Sequence, residues 1–170
     1  MVIAAVFLIL PFCLAFAAVN DLFTMTIPNK ISILLLGSFC VIAPLLGMDW
    51  HTFAMSFLAA LLVFVCSFGL FALNTMGGGD AKLLTASAVW FGFNIHLAAY
   101  MVSVAILGGI LTLGILFIRS YHQEILAAGL PVPDSLLVAK KVPYGIAIAA
   151  GGLVTYPEAP ILQLAMQHML

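Results

Sequence analysis

The chain has 170 residues, 65% of them apolar and 6% charged, with a formal net charge of −1 and a mean hydropathy of +1.29. Soluble domains carry about 25% charged residues, so this composition excludes an ordinary soluble domain and places the chain in a lipid bilayer. A spanning helix needs roughly 20 mostly apolar residues. The length therefore allows about six or seven spans in one membrane domain, 1–170, with no separate soluble domain, and nothing points to a nucleic-acid partner.

Polar punctuation at Asn20–Asn29, Met48–His51, Asn74–Asp80, Phe93–His96 and Arg119–Pro143 divides the chain into six spans. They are expected at Val2–Val19, Ile31–Gly47, Phe53–Leu73, Ala81–Gly92, Leu97–Ile118 and Tyr144 to about Leu164. The fold class is thus all-α and polytopic. The first span carries a small-x-small segment, Ala15-Phe16-Ala17, but no Lys or Arg precedes it, so it reads as a retained helix rather than a signal peptide. From Leu83 to Ile118 no charged residue occurs. One helix of that length would measure about 54 Å, so two helices joined near Asn94 are expected. Pro157 and Pro160 should kink or break the last span, leaving a tail along the outer interface.

Lys30, Lys82, Arg119, Lys140 and Lys141 all fall in or beside odd-numbered connections. The positive-inside rule then puts those connections in the cytoplasm and both chain ends outside, with Trp50 and Trp90 near the outer interface. The large connection from Arg119 to Pro143 mixes a possible interfacial segment, Tyr121-His122-Gln123-Glu124, with a turn near Pro131 to Asp134. It is either a substrate guide or a plain connector.

On this topology Asp21 follows the cytoplasmic end of the first span, and Asp80 precedes the cytoplasmic start of the fourth. From Asp80 to Gly92 is about 20 Å of helix, against a hydrocarbon core of about 30 Å, so Asp80 should lie below the surface. Gly77-Gly78-Gly79 before it would expose backbone amides, which is tolerable only against protein or a water-filled cavity, and would let another backbone approach closely. Two carboxyls at one place supply what amide hydrolysis needs, an ionised group to deprotonate water and a protonated one to polarise the scissile carbonyl. The plainer reading makes Asp80 a helix-start residue favoured by the dipole and Asp21 a marker of the membrane edge.

The segments Asp21-Leu22-Phe23-Thr24-Met25-Thr26-Ile27-Pro28-Asn29 and Gly77-Gly78-Gly79-Asp80-Ala81-Lys82-Leu83 resemble the two signatures of type IV prepilin peptidases, most of all the short tight-adherence (Flp) pilus branch. Lys141-Val142-Pro143-Tyr144-Gly145-Ile146-Ala147-Ile148 is also similar to a segment of that branch. The resemblance implies a GxGD aspartic endopeptidase of the bacterial inner membrane. Such an enzyme removes the short basic leader of a pilin-like precursor on the cytoplasmic side, just after a glycine, and needs no metal or nucleotide. Asp21 and Asp80 match the family's catalytic pair. The long, bifunctional members carry a cytoplasmic domain with paired C-x-x-C motifs, whereas this chain has only Cys13, Cys40 and Cys66, singly within spans; N-methyltransferase activity is not expected.

Around that pair, Pro28-Asn29 should fix the turn into the second helix. Lys82 reads as an interface anchor, or as a group that stabilises Asp80 or contacts substrate. Pro143-Tyr144-Gly145 either borders the active cavity or merely opens the last helix, and Asn74 reads as a helix cap. His51, His96, His122 and His168 lack the H-E-x-x-H spacing of a metalloprotease, and no metal site is expected. Two other readings stand beside the prepilin peptidase: a GxGD protease acting on preflagellin, signal peptides or other membrane substrates, and a proton- or cation-coupled transporter or assembly subunit. Transporter carboxylates usually lie near the midplane, whereas these two cluster at one face.

Overall fold

The computed structural model describes residues 2–121 and 142–168, and among them every regular element is helical. The elements are α1 (Val2–Thr24), α2 (Asn29–Leu45), α3 (Trp50–Ala72), α4 (Gly78–Phe91), α5 (Ile95–Ser120) and α6 (Tyr144–Thr155). A 3₁₀ turn (Tyr156–Glu158) and α7 (Pro160–Gln167) follow. The expectations for His122, Glu124, Asp134, Lys140 and Lys141 lie outside the described residues. The chain is a polytopic helical membrane protein, since α1, α3, α5 and the stretch Tyr144–Gln167 are each long and apolar enough to cross a bilayer.

Two of the six expected spans are shorter. α2 has 17 residues and α4 only 14, about 25 Å and 21 Å of helix. α4 compensates by being the centre of the bundle: ten of its fourteen residues are buried, and α2, α3, α5, α6 and α7 all pack on it. Trp90 follows from this placement. It is 1% exposed, donates its indole N–H to the Leu35 carbonyl at 3.1 Å, and meets Phe39 and Tyr156 edge-on. Trp90 is therefore a core residue and not part of an interfacial belt, because the helix that carries it has no face left for lipid. Trp50, 76% exposed, does lie open on the surface.

The connections obey local rules. α2 ends in a Schellman motif in which Gly47 takes φ +71° while Met48 N–H reaches the Ala43 carbonyl and Gly47 N–H that of Pro44. α3 ends in the same way, with Asn74 at φ +58° and Thr75 N–H on the Leu70 carbonyl. The Asp49 carboxylate caps α3 and the Asn94 side-chain oxygen caps α5. Gly92 and Asn94 thus separate α4 from α5 at the expected place. The last span breaks at its prolines, also as expected. The resulting α7 buries Ile161, Leu162 and Ala165 on the bundle and leaves Gln163 and Gln167 exposed.

Candidate active site

Asp21 was expected beyond the end of the first span, but α1 continues through Asn20 and Asp21 to Thr24. The reason lies in its buried stripe. Val6, Leu10, Cys13, Leu14, Ala17 and Asp21 recur at helical spacing, so Asp21 prolongs the face that α1 turns to protein and is only 5% exposed. The chain reverses at Met25, which adopts φ +53°, a left-handed conformation uncommon for a residue with a side chain. Pro28, extended at φ −60° and ψ 131°, then precedes the first turn of α2 and does what the Pro28-Asn29 pair was expected to do.

Asp80 is likewise inside a helix. Gly77 caps α4, and Gly78, Gly79 and Asp80 form its first turn, so the glycines are a helix start rather than a loop. A first turn of α-helix needs no glycine, and the need comes from what presses on each. A β-carbon at Gly77 would lie 2.6 Å from Asp80 Oδ2. One at Gly79 would lie 3.2 Å from Ile27 Cβ and 3.4 Å from its backbone nitrogen. One at Gly78 would meet only the Phe71 ring, at 3.3 Å. The close backbone approach expected at these glycines is made by the protein's own chain, which uses Gly79 to bring the Asp21–Asn29 reversal against the start of α4.

The consequence is a cavity of about 360 Å3 lined by Asp21, Ile27, Asn29, Gly79 and Asp80, together with Met25, Thr26, Gly77 and Gly78. Asp80, 8% exposed, also lines a second cavity of about 320 Å3 with Asn74, Thr75, Thr112, Val142 and Tyr144. It stands where the two spaces meet. Asp21 is held from the far end of the sequence: Gly145 N–H, in the first turn of α6, donates to its Oδ2 at 2.7 Å. The helix start suits an acidic partner, since its N–H groups lack intrahelical acceptors and its dipole is positive there. Gly145 has no room for a side chain either, because a β-carbon would lie 2.9 Å from Asp21 Oδ2 and 3.0 Å from Ile27 Cδ1.

The supporting residues separate into those at the cavities and those that position them. Tyr144 lines the second cavity and its ring packs directly on Gly108 of α5. Pro143 is buried just before α6. Lys82 is exposed and donates from Nζ to Asn29 Oδ1 at 3.0 Å, tying the N-terminal end of α4 to that of α2. Met25, Ile27 and Thr112 were not singled out by sequence. The first two fall inside the Asp21–Asn29 segment, but Thr112 sits in an apolar run with no local signal. Among the described residues no three His, Cys, Asp or Glu side chains cluster as a metal site.

A helical membrane bundle that buries two carboxyls from different helices around one cavity brings together groups that can serve as acid and base. Residues 8–117, which contain both aspartates, match the type IV leader peptidase family, and the chain belongs to that family. No curated protein and no solved structure matches it.

Proposed function

We propose that this chain is a prepilin leader peptidase of the short, single-activity kind, with Asp21 and Asp80 as its catalytic pair. The observation that carries the reading is their placement: two buried carboxyls, brought from α1 and α4, lining one cavity inside a family of leader peptidases. In the proposed reaction the pair holds one proton. The ionised carboxylate takes a proton from water as it attacks the scissile carbonyl, and the protonated partner donates to the carbonyl oxygen. Collapse of the tetrahedral intermediate returns a proton to the leaving amine and restores the pair. Neither metal nor nucleotide enters this cycle.

The proposed substrate is a Flp-type prepilin with a short basic leader followed by an apolar helix. The basic residues Lys30, Lys82 and Arg119 all belong to the end of the bundle that holds the aspartates, which supports a cytoplasmic active site by the positive-inside rule. It also supports an outer location for the start of α1. The bilayer would be the bacterial inner membrane. The lone cysteines Cys13, Cys40 and Cys66 support cleavage without amino-terminal methylation.

The test is co-expression of the chain, or of Asp21→Asn or Asp80→Asn, with a tagged pilin-like precursor carrying a basic leader, a glycine at the cut and an apolar helix. Mass spectrometry of the product should show leader loss and an unmethylated new amino terminus with the parent chain. Each variant should insert in the membrane and leave the precursor intact, because one carboxyl cannot serve as both acid and base. Substantial cleavage by either variant would overturn the pair.

A further inference from the structure

A larger cavity, about 540 Å3, lies between α3 and α5, lined by Leu62, Cys66 and Leu70 of α3, Leu84 of α4, and Leu97 and Met101 of α5. α3 packs mainly on α4 and α5 mainly on α6, with little contact between α3 and α5, so the space forms an open groove with Leu84 of α4 at its floor. Its lining is almost wholly apolar. Followed towards the aspartates, all three helices lead into the second polar cavity. Leu84 is one turn from Asp80 and on the same face of α4. Leu70 on α3 is followed by Asn74 and Thr75, and Met101 on α5 by Thr112 three turns later. Asn74, Thr75, Asp80 and Thr112 line that polar cavity together. Along α5, Leu97 to Thr112 spans about 22 Å.

We infer that this groove receives the apolar helix of the leader-bearing substrate, which enters sideways from the lipid between α3 and α5. The inference rests on the leader-peptidase reading and adds the route to it. The change in lining identifies the occupant. An apolar groove that follows α3 from Leu62 to Leu70, about 12 Å, and gives way one turn later to a polar cavity at Asp80 complements a chain that is an apolar helix on one side of the scissile bond and a polar leader on the other. An acyl chain would fill the trough but has no peptide to pass onward. Because Asp80 borders both polar spaces, a peptide leaving the groove beside it comes to the cavity shared with Asp21. The short α4 serves the same purpose, keeping the carboxyl within reach of a bond at the end of a membrane-embedded helix.

The chain carries its own probes. Cys66 is exposed and lines the groove, Cys40 is exposed on α2, and Cys13 is buried. In proteoliposomes, an Asp21→Asn, Cys13→Ala background with either Cys66 or Cys40 as the sole thiol is oxidised with a pilin-like precursor bearing one cysteine in its apolar helix. A disulfide to Cys66 and none to Cys40 is expected. Ala98 of α5 also lines the groove, and in the active chain Ala98→Phe, which fills it, should raise KM for that precursor at least tenfold. It should leave cleavage of a truncated precursor without the helix unchanged. Cross-linking to Cys40 instead, or an unaltered KM with Ala98→Phe, would overturn the groove while leaving cleavage, and so the peptidase reading, intact. A Cys66–Cys66 link between two copies that persists with precursor present would also overturn it, assigning the groove to self-association. Failure of the parent chain to cut any leader would remove the peptidase reading itself, and the docking proposal with it.

Discussion

Gly145→Ala places one methyl group where α6 meets Asp21. The added carbon would lie 2.9 Å from Asp21 Oδ2, 3.0 Å from Asp21 Cβ and 3.0 Å from Ile27 Cδ1, whereas carbon–carbon contacts settle at about 3.5–4.0 Å. The carboxyl and the α6 start must therefore separate by roughly 0.5–1 Å, which stretches the 2.7 Å hydrogen bond from Gly145 N–H to or past the roughly 3.2 Å limit of a normal one. A displacement of about 1 Å in a reacting group can cost about 10²-fold, so kcat for leader cleavage should fall about 10- to 100-fold, about 1.4–2.7 kcal/mol of activation free energy. Alanine is the better helix former by up to about 1 kcal/mol, which offsets part of the contact strain. The unfolding midpoint should move little. The assay is single-turnover cleavage of a pilin-like precursor in proteoliposomes, with thermal unfolding of the same preparation. A variant with parental kcat would refute the reasoning, since Asp21 would then not depend on α6 for its position.

Trp90→Ala should cost about 3–5 kcal/mol, the usual range for a buried indole, because it empties the space beside Phe39 and Tyr156 and removes one donor from the Leu35 carbonyl; thermal unfolding in detergent measures it. Asp49 predicts a pH effect at the opposite end of the bundle. The Thr52 hydroxyl beside it, with the Thr52 and His51 amides, holds its carboxyl below the ordinary value of 3.8. A lowered folded-state value means the cap's contribution is complete above the unfolded value and fades as pH falls through the folded one. Asp49→Ala should lower the unfolding midpoint at pH 6, and that effect should shrink progressively as pH falls below 3.8.

Much of this arrangement was legible in the sequence, for reasons that differ by residue. Spans showed because uncharged runs interrupted by Gly92, Asn94 and the late prolines can hardly be anything else in a bilayer. Asp21 and Asp80 stood out because a carboxyl near an apolar run is costly unless it has a use. What escaped was set by tertiary contact. Burial of Asp21 inside α1 needed the α6 start to face it, a contact across 124 positions. Trp90 looked like an interfacial residue because its neighbours in sequence say nothing of α4 being surrounded on every side. Thr112 belongs to the site only because α5 passes the end of α4. Lys82 reads from sequence as an anchor or as a contact to Asp80 or substrate, and its hydrogen bond to Asn29 shows that an exposed lysine can also tie two helix starts together.

The three glycines before Asp80 allow two explanations that a graded series separates. If they exist to admit a substrate backbone, alanine at any of them should impair cleavage alike. If they exist because the protein's own chain crowds them, the cost should follow the neighbour. At Gly78 the neighbour is the rim of the Phe71 ring, on an exposed side chain that can swing aside. At Gly79 it is Ile27 Cβ and backbone nitrogen, which move only with the whole Met25–Pro28 reversal. At Gly77 it is the Asp80 carboxyl itself, at 2.6 Å. Gly78→Ala should therefore stay within about threefold of parental kcat, while Gly77→Ala and Gly79→Ala lose about tenfold or more, as expected when a reacting carboxyl is displaced by a fraction of an ångström. Ile27→Ala should not rescue Gly79→Ala, because the clashing atoms remain. Gly37, on α2 with nothing within 4 Å of an added β-carbon, supplies the control. Gly37→Ala should keep full activity and gain about 0.5–1 kcal/mol of stability from helix propensity alone. Equal losses at Gly77, Gly78 and Gly79 would return the glycines to the substrate and refute the crowding account.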